Sequence, residues 1–483
     1  MTTLKNKSIV VLGLGSLGGG VATVNWLLDQ GARVTVSDLK DAKALASSVK
    51  RVEDYLKRTA RDGKSYEKAR ARLVWALGGH TNALIDGADM IVANPDVSIH
   101  NPYITRALKK GIPVENEGTL FFQQWTKPVI GVTGTRGKTT TATWTNHFVG
   151  TAVLTGNSVT EPFLEALTEH SKRTSAVTEL SSFVLEYFDH LKRSPKIAIV
   201  TNLYRDHLNR HGTMEEYAKA KARIFQYQTS RDSLILNADN EWTPWFLRQK
   251  PLARVFFTSL RQLPPATMGV WFDDDALWEW KGEKAARILE LPGFSEQWGM
   301  HNVANLMQAT LAAHLTGVSY DAIVRKISSL PVVAYRQEVI YRDSKLTVVN
   351  DTTATSPEAG IAAAQRWGGP TSVLIAGGTD RDLDYKQWAE AIRTSIRKTN
   401  LILLSGSATK KMRRALGQYG AGVRSYDTLE SAWGAAQKRA CKYVNSVVLF
   451  SPAAKSFELF ANEYDRGQQF NAVVASSLKK KRR

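Results

Sequence analysis

The chain has 483 residues, 43% hydrophobic and 23% charged, with one cysteine and a formal net charge of +19. That length predicts two to four globular domains, each with apolar residues enough for a core. The single Cys441 excludes an internal disulfide framework and fits a reducing cytosol.

Part of the positive charge lies in the run Lys479 to Arg483 and part between Lys40 and Arg72. No nucleic-acid module accompanies it, so it reads as a solubilising surface around phosphorylated substrates. Ser8 to Leu28 carries no charge, like a signal peptide or a membrane span. Gly13, Gly15, Gly18, Gly19 and Gly20 interrupt it, however, and suit a strand, a turn and a helix better. A soluble chain without a targeting segment or membrane span is expected.

In chain order, "SIVVLGLG" predicts a buried strand, "VATVNWLLDQG" a helix and "ARVTVSD" a second strand ending at Asp38. A polar, basic insertion follows from Asp41 to about Leu77 and is expected to be helical. "ADMIVANP" is a strand, and "NPYITRALKKGIPV" a helix feeding another. A second block opens with the strand "KPVIGVTG" and continues through "SAVTELSS", "KIAIVTNL" and "SLILNAD". Arg254 to Gly293 predicts a small antiparallel excursion. "HNVANLMQATLAAHLTG" is an apolar helix. A third block carries "LTVVND", "SVLIAGG", "LILLSG" and "SVVLFSP". Strands alternating with helices predict parallel sheets, hence an α/β protein of three domains: 1–126, 127–330 and 331–483.

Two glycine loops carry the chemistry. Gly13-x-Gly15-x-x-Gly18, with Asp38 ending the next strand, is a dinucleotide fingerprint. Its glycines let backbone N–H groups approach a diphosphate at a helix N-terminus. The ligand left open by this pattern is NAD, in an oxidoreductase, or another diphosphate such as a UDP-sugar. "TGTRGKTT" is the stronger signal. Its amides cradle phosphate, Lys138 reaches the terminal phosphates, and Thr139 offers a hydroxyl to Mg²⁺. Gly134 stands closer to Gly137 than the strict Walker spacing requires. Glu179 ends the next strand, as a metal-binding carboxylate does. Asp206 and His207 follow the strand after that. Thr213 and Glu216 read as a capping box, and Lys221 on that helix as a solvated surface lysine.

"GVTGTRGKTT", "ELSSFVLE", "TNLYRDHLNRHGTMEEYAKAKARIF", "GMHNVANLMQA", "YRQE", "NDTTAT" and "SPAAKSFELFANEYDRGQQF" occur in the order seen in Mur ligases. The chain resembles the MurD branch, the UDP-N-acetylmuramoyl-L-alanine:glutamate ligases, over nearly its whole length. The resemblance implies a Rossmann-like N-terminal domain that binds UDP rather than NAD, through Gly15, Ser16 and Leu17, with Asp38 near the uridine and Asn157 near the sugar nucleotide. It implies a central P-loop domain that binds ATP through Gly134, Thr135, Gly137, Lys138, Thr139 and Thr140. Asn302 and Asn305 match the adenine side, while Arg336 and Asp351 would meet the phosphates and ribose from across the hinge. Glu179 and His207 match positions that hold Mg²⁺. Lys221 matches the lysine that family members carbamylate to bind a second ion, which replaces its reading as a surface lysine. A Rossmann-like C-terminal domain would bring the amino acid, at Thr355, Arg381 and Ser456, and close over the site.

The implied chemistry is ATP-dependent formation of an acyl phosphate on UDP-N-acetylmuramoyl-L-alanine, then attack by the amine of glutamate. It belongs to cytoplasmic peptidoglycan precursor synthesis, with ATP and two Mg²⁺ ions as cofactors, no nucleic acid, and a monomeric enzyme. Departures cluster on the amino-acid side. Thr353 and Arg381 stand where lysines are expected, and Glu463 where an aromatic residue is expected. D-glutamate is the default amino acid; "NDTTAT" also looks like a divergent branch that adds L-glutamate.

Overall fold

Three α/β sheets form from the predicted apolar runs. The computed structural model describes residues 3–15, 18–156 and 161–481. Ser16, Leu17 and Asn157, all expected at the nucleotide-sugar site, lie outside the described residues. The chain resolves into two compact units, one of residues 1–290 with 304–329 and the other of residues 291–303 with 330–483. The apolar helix Met300–Leu315 runs through the boundary between them.

In the first unit, β1 (Ser8–Leu12), β2 (Arg33–Asp38), β3 (Leu73–Leu77), β4 (Met90–Ala93) and β5 (Val114–Glu115) form a parallel sheet in the order β3-β2-β1-β4-β5. The order reverses between β1 and β4, where ligands bind in open α/β sheets. Helix α1 (Gly19–Asp29) follows β1 and buries Val21, Val24, Leu27 and Leu28. The basic insertion forms α2 (Ala46–Thr59) and α3 (Gly63–Arg70), but its last residues are not helical. "LVWAL" becomes β3, an edge strand with only Leu73 fully buried. A short, partly exposed edge strand directly after a basic helical run lacks the burial that marks a central one.

A second sheet contains β6 (Val129–Thr133), β7 (Ala152–Gly156), β8 (Ser175–Glu179), β9 (Ile197–Val200), β10 (Ser233–Asn237), β11 (Arg254–Ser259), β12 (Gly269–Asp273), β13 (Ala276–Lys281) and β14 (Lys284–Glu290). Its order is β14-β13-β12-β11-β10-β9-β6-β8-β7. Only β12, β13 and β14 pair antiparallel, in the predicted excursion; β11 pairs parallel with both neighbours. Phe121, Phe122, Trp125, Phe163 and Phe188 pack in one core that joins the layers of the first two sheets.

The second unit holds a sheet of β15 (Glu338–Arg342), β16 (Leu346–Asn350), β17 (Ser372–Ala376), β18 (Leu401–Leu404), β19 (Ser425–Tyr426) and β20 (Ser446–Phe450). Its order is β15-β16-β20-β17-β18-β19, parallel except for β15. No helix among the described residues is long and apolar enough to cross a membrane.

Candidate active site

Strands β9, β6 and β8 are parallel neighbours, so the loops after Val200, Thr133 and Glu179 open on one sheet edge. The loop after β6 turns at Gly137, which caps the helix Lys138–Val149. Its backbone is stitched to the segment after β9. The Thr135 N–H donates to the Asn202 carbonyl at 2.9 Å, and the Arg136 N–H to Asn202 Oδ1 at 2.8 Å. The Thr201 hydroxyl donates to the Arg136 carbonyl at 2.6 Å. Gly134 has φ +146°, and a Cβ there would stand 1.9 Å from Thr201 Oγ1. The close approach of the two loops therefore requires glycine.

The sheet edge brings Lys138, Thr139 and Glu179 together. Thr139 donates its hydroxyl proton to Glu179 Oε2 at 2.7 Å, and Lys138 Nζ lies 3.9 Å from Glu179 Oε1. A hydroxyl beside a carboxylate is the hard-oxygen set that Mg²⁺ prefers, so these residues fit that ion. Among the described residues no group of three or more His, Cys, Asp or Glu could hold a metal. A magnesium ion here would share its coordination between Thr139, Glu179 and phosphate oxygens. Thr140 is buried in the first turn of the same helix. Asn305, on the helix Met300–Leu315, packs against Gly137, and its Oδ1 accepts from the Thr141 hydroxyl at 3.3 Å.

Lys221 is not the solvated lysine that spacing alone suggests. Thr213 does start the helix Met214–Ala222 by accepting the Glu216 N–H at 3.1 Å, although Glu216 pairs with Lys219 instead of completing a capping box. The helix then turns Tyr217, Ala218, Ala220 and Lys221 inward. Lys221 is 1% exposed and donates to the Gly134 carbonyl at 2.8 Å. Burial, reinforced by the nearby Lys138 charge, holds its amine well below the ordinary lysine range.

His207 sits at φ +56°, a conformation that non-glycine residues adopt mainly under constraint. Its N–H donates to Asp206 Oδ1 at 2.8 Å, and its ring packs edge-on to Phe183. Asp206 is buried and pairs with Arg136 at 3.1 Å. Arg136 is a site residue that the sequence did not single out, because the partner that fixes it is far along the chain. Behind them Arg210 grips Glu186 at 2.5 Å and donates to the carbonyls of Asp96 and Val97 at 2.8 and 3.0 Å. That network ties the loop after β4 to the His207 turn.

The glycine loop after β1 is held by Asp38. One carboxylate oxygen accepts the N–H groups of Leu14 and Gly15 at 2.8 and 3.2 Å, and the other that of Lys40 at 2.9 Å. Asp38 thus shapes the turn. Glu117 closes the loop's inner side. It is 5% exposed, and burial pushes its carboxyl from an ordinary 4.5 up to about 7. A carboxyl raised on folding favours the fold below its unfolded pKa, and that contribution is lost as pH rises through the folded value. Glu117→Gln is therefore expected to stabilise the chain at pH 8 relative to pH 4.5, by up to about 3 kcal/mol. Thermal melts of both proteins across that range check this; an identical pH profile would refute it.

In the second unit, Thr355, Arg381 and Ser456 follow β16, β17 and β20, three adjacent parallel strands, and so occupy one sheet edge. Thr355 is buried, and Ser456 is 2% exposed with no hydrogen-bond partner for its hydroxyl among the described residues. Thr353 donates to the Tyr335 carbonyl at 2.7 Å, and Lys455 pairs with Glu463 at 3.3 Å. Asp351 accepts from the Ser451 hydroxyl at 2.7 Å and the Gln337 N–H at 3.1 Å, and burial pushes its carboxyl up to about 7. Arg336 lies between Tyr335 and Gln337, both at positive φ. Asn302 donates to the Trp298 carbonyl at 2.9 Å.

Residues 132–313 match the Mur ligase middle domain, and residues 7–116 the Mur ligase MurD-like N-terminal domain. The sequence is 36% identical to the UDP-N-acetylmuramoylalanine--D-glutamate ligase of Roseiflexus sp. (strain RS-1), over 98% of this chain and 99% of that protein. The chain belongs to the MurD branch of the Mur ligase family. The protein of the same description from Geotalea uraniireducens (strain Rf4) is 30% identical over 98% of both chains. Among solved structures, UDP-N-acetylmuramate-alanine ligase MurC from Thermotoga maritima has a TM-score of 0.60 at 18% identity, covering 98% of this chain and 100% of that one. MurF from Acinetobacter baumannii has a TM-score of 0.55 at 13% identity, covering 93% of this chain and 88% of that one. These two likenesses show the shared Mur ligase fold. As a Mur ligase the chain is an ATP-dependent acid–amino-acid ligase, and nothing favours the nicotinamide oxidoreductase reading.

Proposed function

We propose that the chain joins glutamate to UDP-N-acetylmuramoyl-L-alanine at the expense of ATP, in the cytoplasmic assembly of peptidoglycan precursors. The observation that carries this is the meeting of Lys138, Thr139 and Glu179 at one sheet edge, in a chain matched end to end by ligases of that description. A carboxylate oxygen of the alanyl group attacks the γ-phosphorus, and the bond to ADP breaks. The glutamate amine then attacks the acyl carbon and loses a proton, and phosphate leaves. Lys138 would balance negative charge on the transferring phosphoryl group. Mg²⁺ bound by Thr139 and Glu179, with His207 and a carbamylated Lys221 completing a second site, would supply further charge neutralisation. Carbamylation needs a neutral amine, and the burial of Lys221 shifts its pKa in that direction.

The first sheet would hold the uridine diphosphate at its glycine loop, and Asn302, Asn305, Arg336 and Asp351 would serve ATP. Thr355, Arg381 and Ser456 would take the glutamate. Arg381 can grip a carboxylate with a two-pronged guanidinium. D-glutamate remains the expected amino acid, and a monomer the expected state. Phosphate release from ATP with UDP-N-acetylmuramoyl-L-alanine, comparing D-glutamate, L-glutamate and no amino acid, tests the reading. Release that ignores both acceptor and amino acid would refute it, and a preference for L-glutamate would reassign the stereochemistry.

A further inference from the structure

The basic insertion brings a cation to the first glycine loop. Helix α2 is anchored by Val52 and Leu56, both buried, and by Ser48, which donates its hydroxyl proton to the Gly15 carbonyl at 2.8 Å. One turn on, Arg51 shares that helix face. Its guanidinium lies over the start of α1. A Cβ on Gly18, the residue that caps α1, would be 3.2 Å from Nη2 and 3.4 Å from Nη1.

This is an electrostatically unusual place for a guanidinium. The N-terminus of a helix carries partial positive charge and repels a cation. No carboxylate among the described residues pairs with Arg51, which is exposed. Glu53, on the same helix, is taken up by Arg70 at 3.0 Å and by the Trp75 indole at 3.2 Å. An anion between the guanidinium and the α1 amides converts the repulsion into two attractions. The next residue of the turn, Gly19, meets a carboxyl instead. The Glu117 carboxyl lies there, 2.8 Å from where a Cβ on Gly19 would be, 95% buried and without a hydrogen-bond partner among the described residues.

We propose that Arg51, delivered by the insertion helix and held in place by the Ser48–Gly15 bond, is a direct ligand of the diphosphate of the nucleotide-sugar substrate. This rests on the first sheet being the nucleotide-sugar site, and it adds a cationic, phosphate-reading group to the backbone amides. The guanidinium acts on the phosphates and leaves the base to other groups.

Calorimetric titration of the full-length protein with UDP, UMP and uridine as separate probes tests it. Arg51→Ala is expected to weaken UDP binding by about 10- to 50-fold and leave uridine binding unchanged. Arg51→Lys is expected to recover part of the loss. The Michaelis constant for the sugar nucleotide should rise in parallel, with kcat and the constants for ATP and glutamate unaltered. Equal UDP affinity in wild type and Arg51→Ala overturns the inference alone. Equal losses for UDP and uridine overturn it too, by making Arg51 a structural prop. If the wild-type protein binds no UDP at all, the nucleotide-sugar reading itself falls and takes the inference with it.

Discussion

Lys138→Ala is expected to lower kcat for ligation by at least about a thousandfold while the fold survives. The loop is held chiefly by Thr201 and Asn202, and Lys138 adds one bond to it, from Nζ to the Thr135 carbonyl at 3.3 Å. Its removal leaves the Thr201 and Asn202 bonds in place and deletes the cation that stands 3.9 Å from Glu179. Charge that develops on the transferring phosphoryl oxygens would then have one fewer fixed partner. The check is phosphate release under saturating substrates, with circular dichroism to confirm folding. A rate within about threefold of wild type would remove Lys138 from the proposed chemistry.

Arg466→Ala should be the most destabilising single truncation in the second unit, costing about 3–5 kcal/mol. Arg466 is fully buried at the start of the last helix. It donates to the Thr352 hydroxyl at 3.0 Å and the Thr352 carbonyl at 2.6 Å. It also donates to the carbonyls of Ala454 and Lys455 at 3.1 and 3.2 Å. Those carbonyls belong to the loops after β16 and β20 that carry Thr355 and Ser456. Truncation leaves several buried acceptors without donors and frees both loops. The Michaelis constant for glutamate should therefore rise by more than about tenfold, while that for the sugar nucleotide stays put. Arg466→Lys should not rescue, because an ammonium cannot span four acceptors. Hydrogen exchange localised to residues 350–356 and 452–458 provides the structural readout. Unchanged protection there would show that the guanidinium is not the strut.

Much of the architecture was legible because its signals are local. Strands β1, β6, β8, β9 and β20 are short apolar runs ending in glycine, acid or small polar residues, and the glycine loops sit where those runs stop. β3 was missed because it is an edge strand, fully buried at Leu73 alone and preceded by Arg70 and Arg72. The antiparallel excursion was legible from alternation and paired prolines, although β11 pairs parallel. Lys221 marks the limit of local reading. Its helix start is written in Thr213, yet the face that helix buries depends on what packs against it.

The sequence by itself determined the three α/β sheets, the positions of the two glycine loops and the family, since each depends on residue type at short spacing. Only the tertiary structure decided the rest. It turned Asp38 onto its own loop, buried Lys221 beneath Gly134 and placed Arg51 over Gly18. It also fastened the loops after β16 and β20 with Arg466. The physical reason is that burial and hydrogen-bond partnership are set by contacts between segments far apart along the chain. A side chain's charge state and task follow from those contacts, not from its neighbours in sequence.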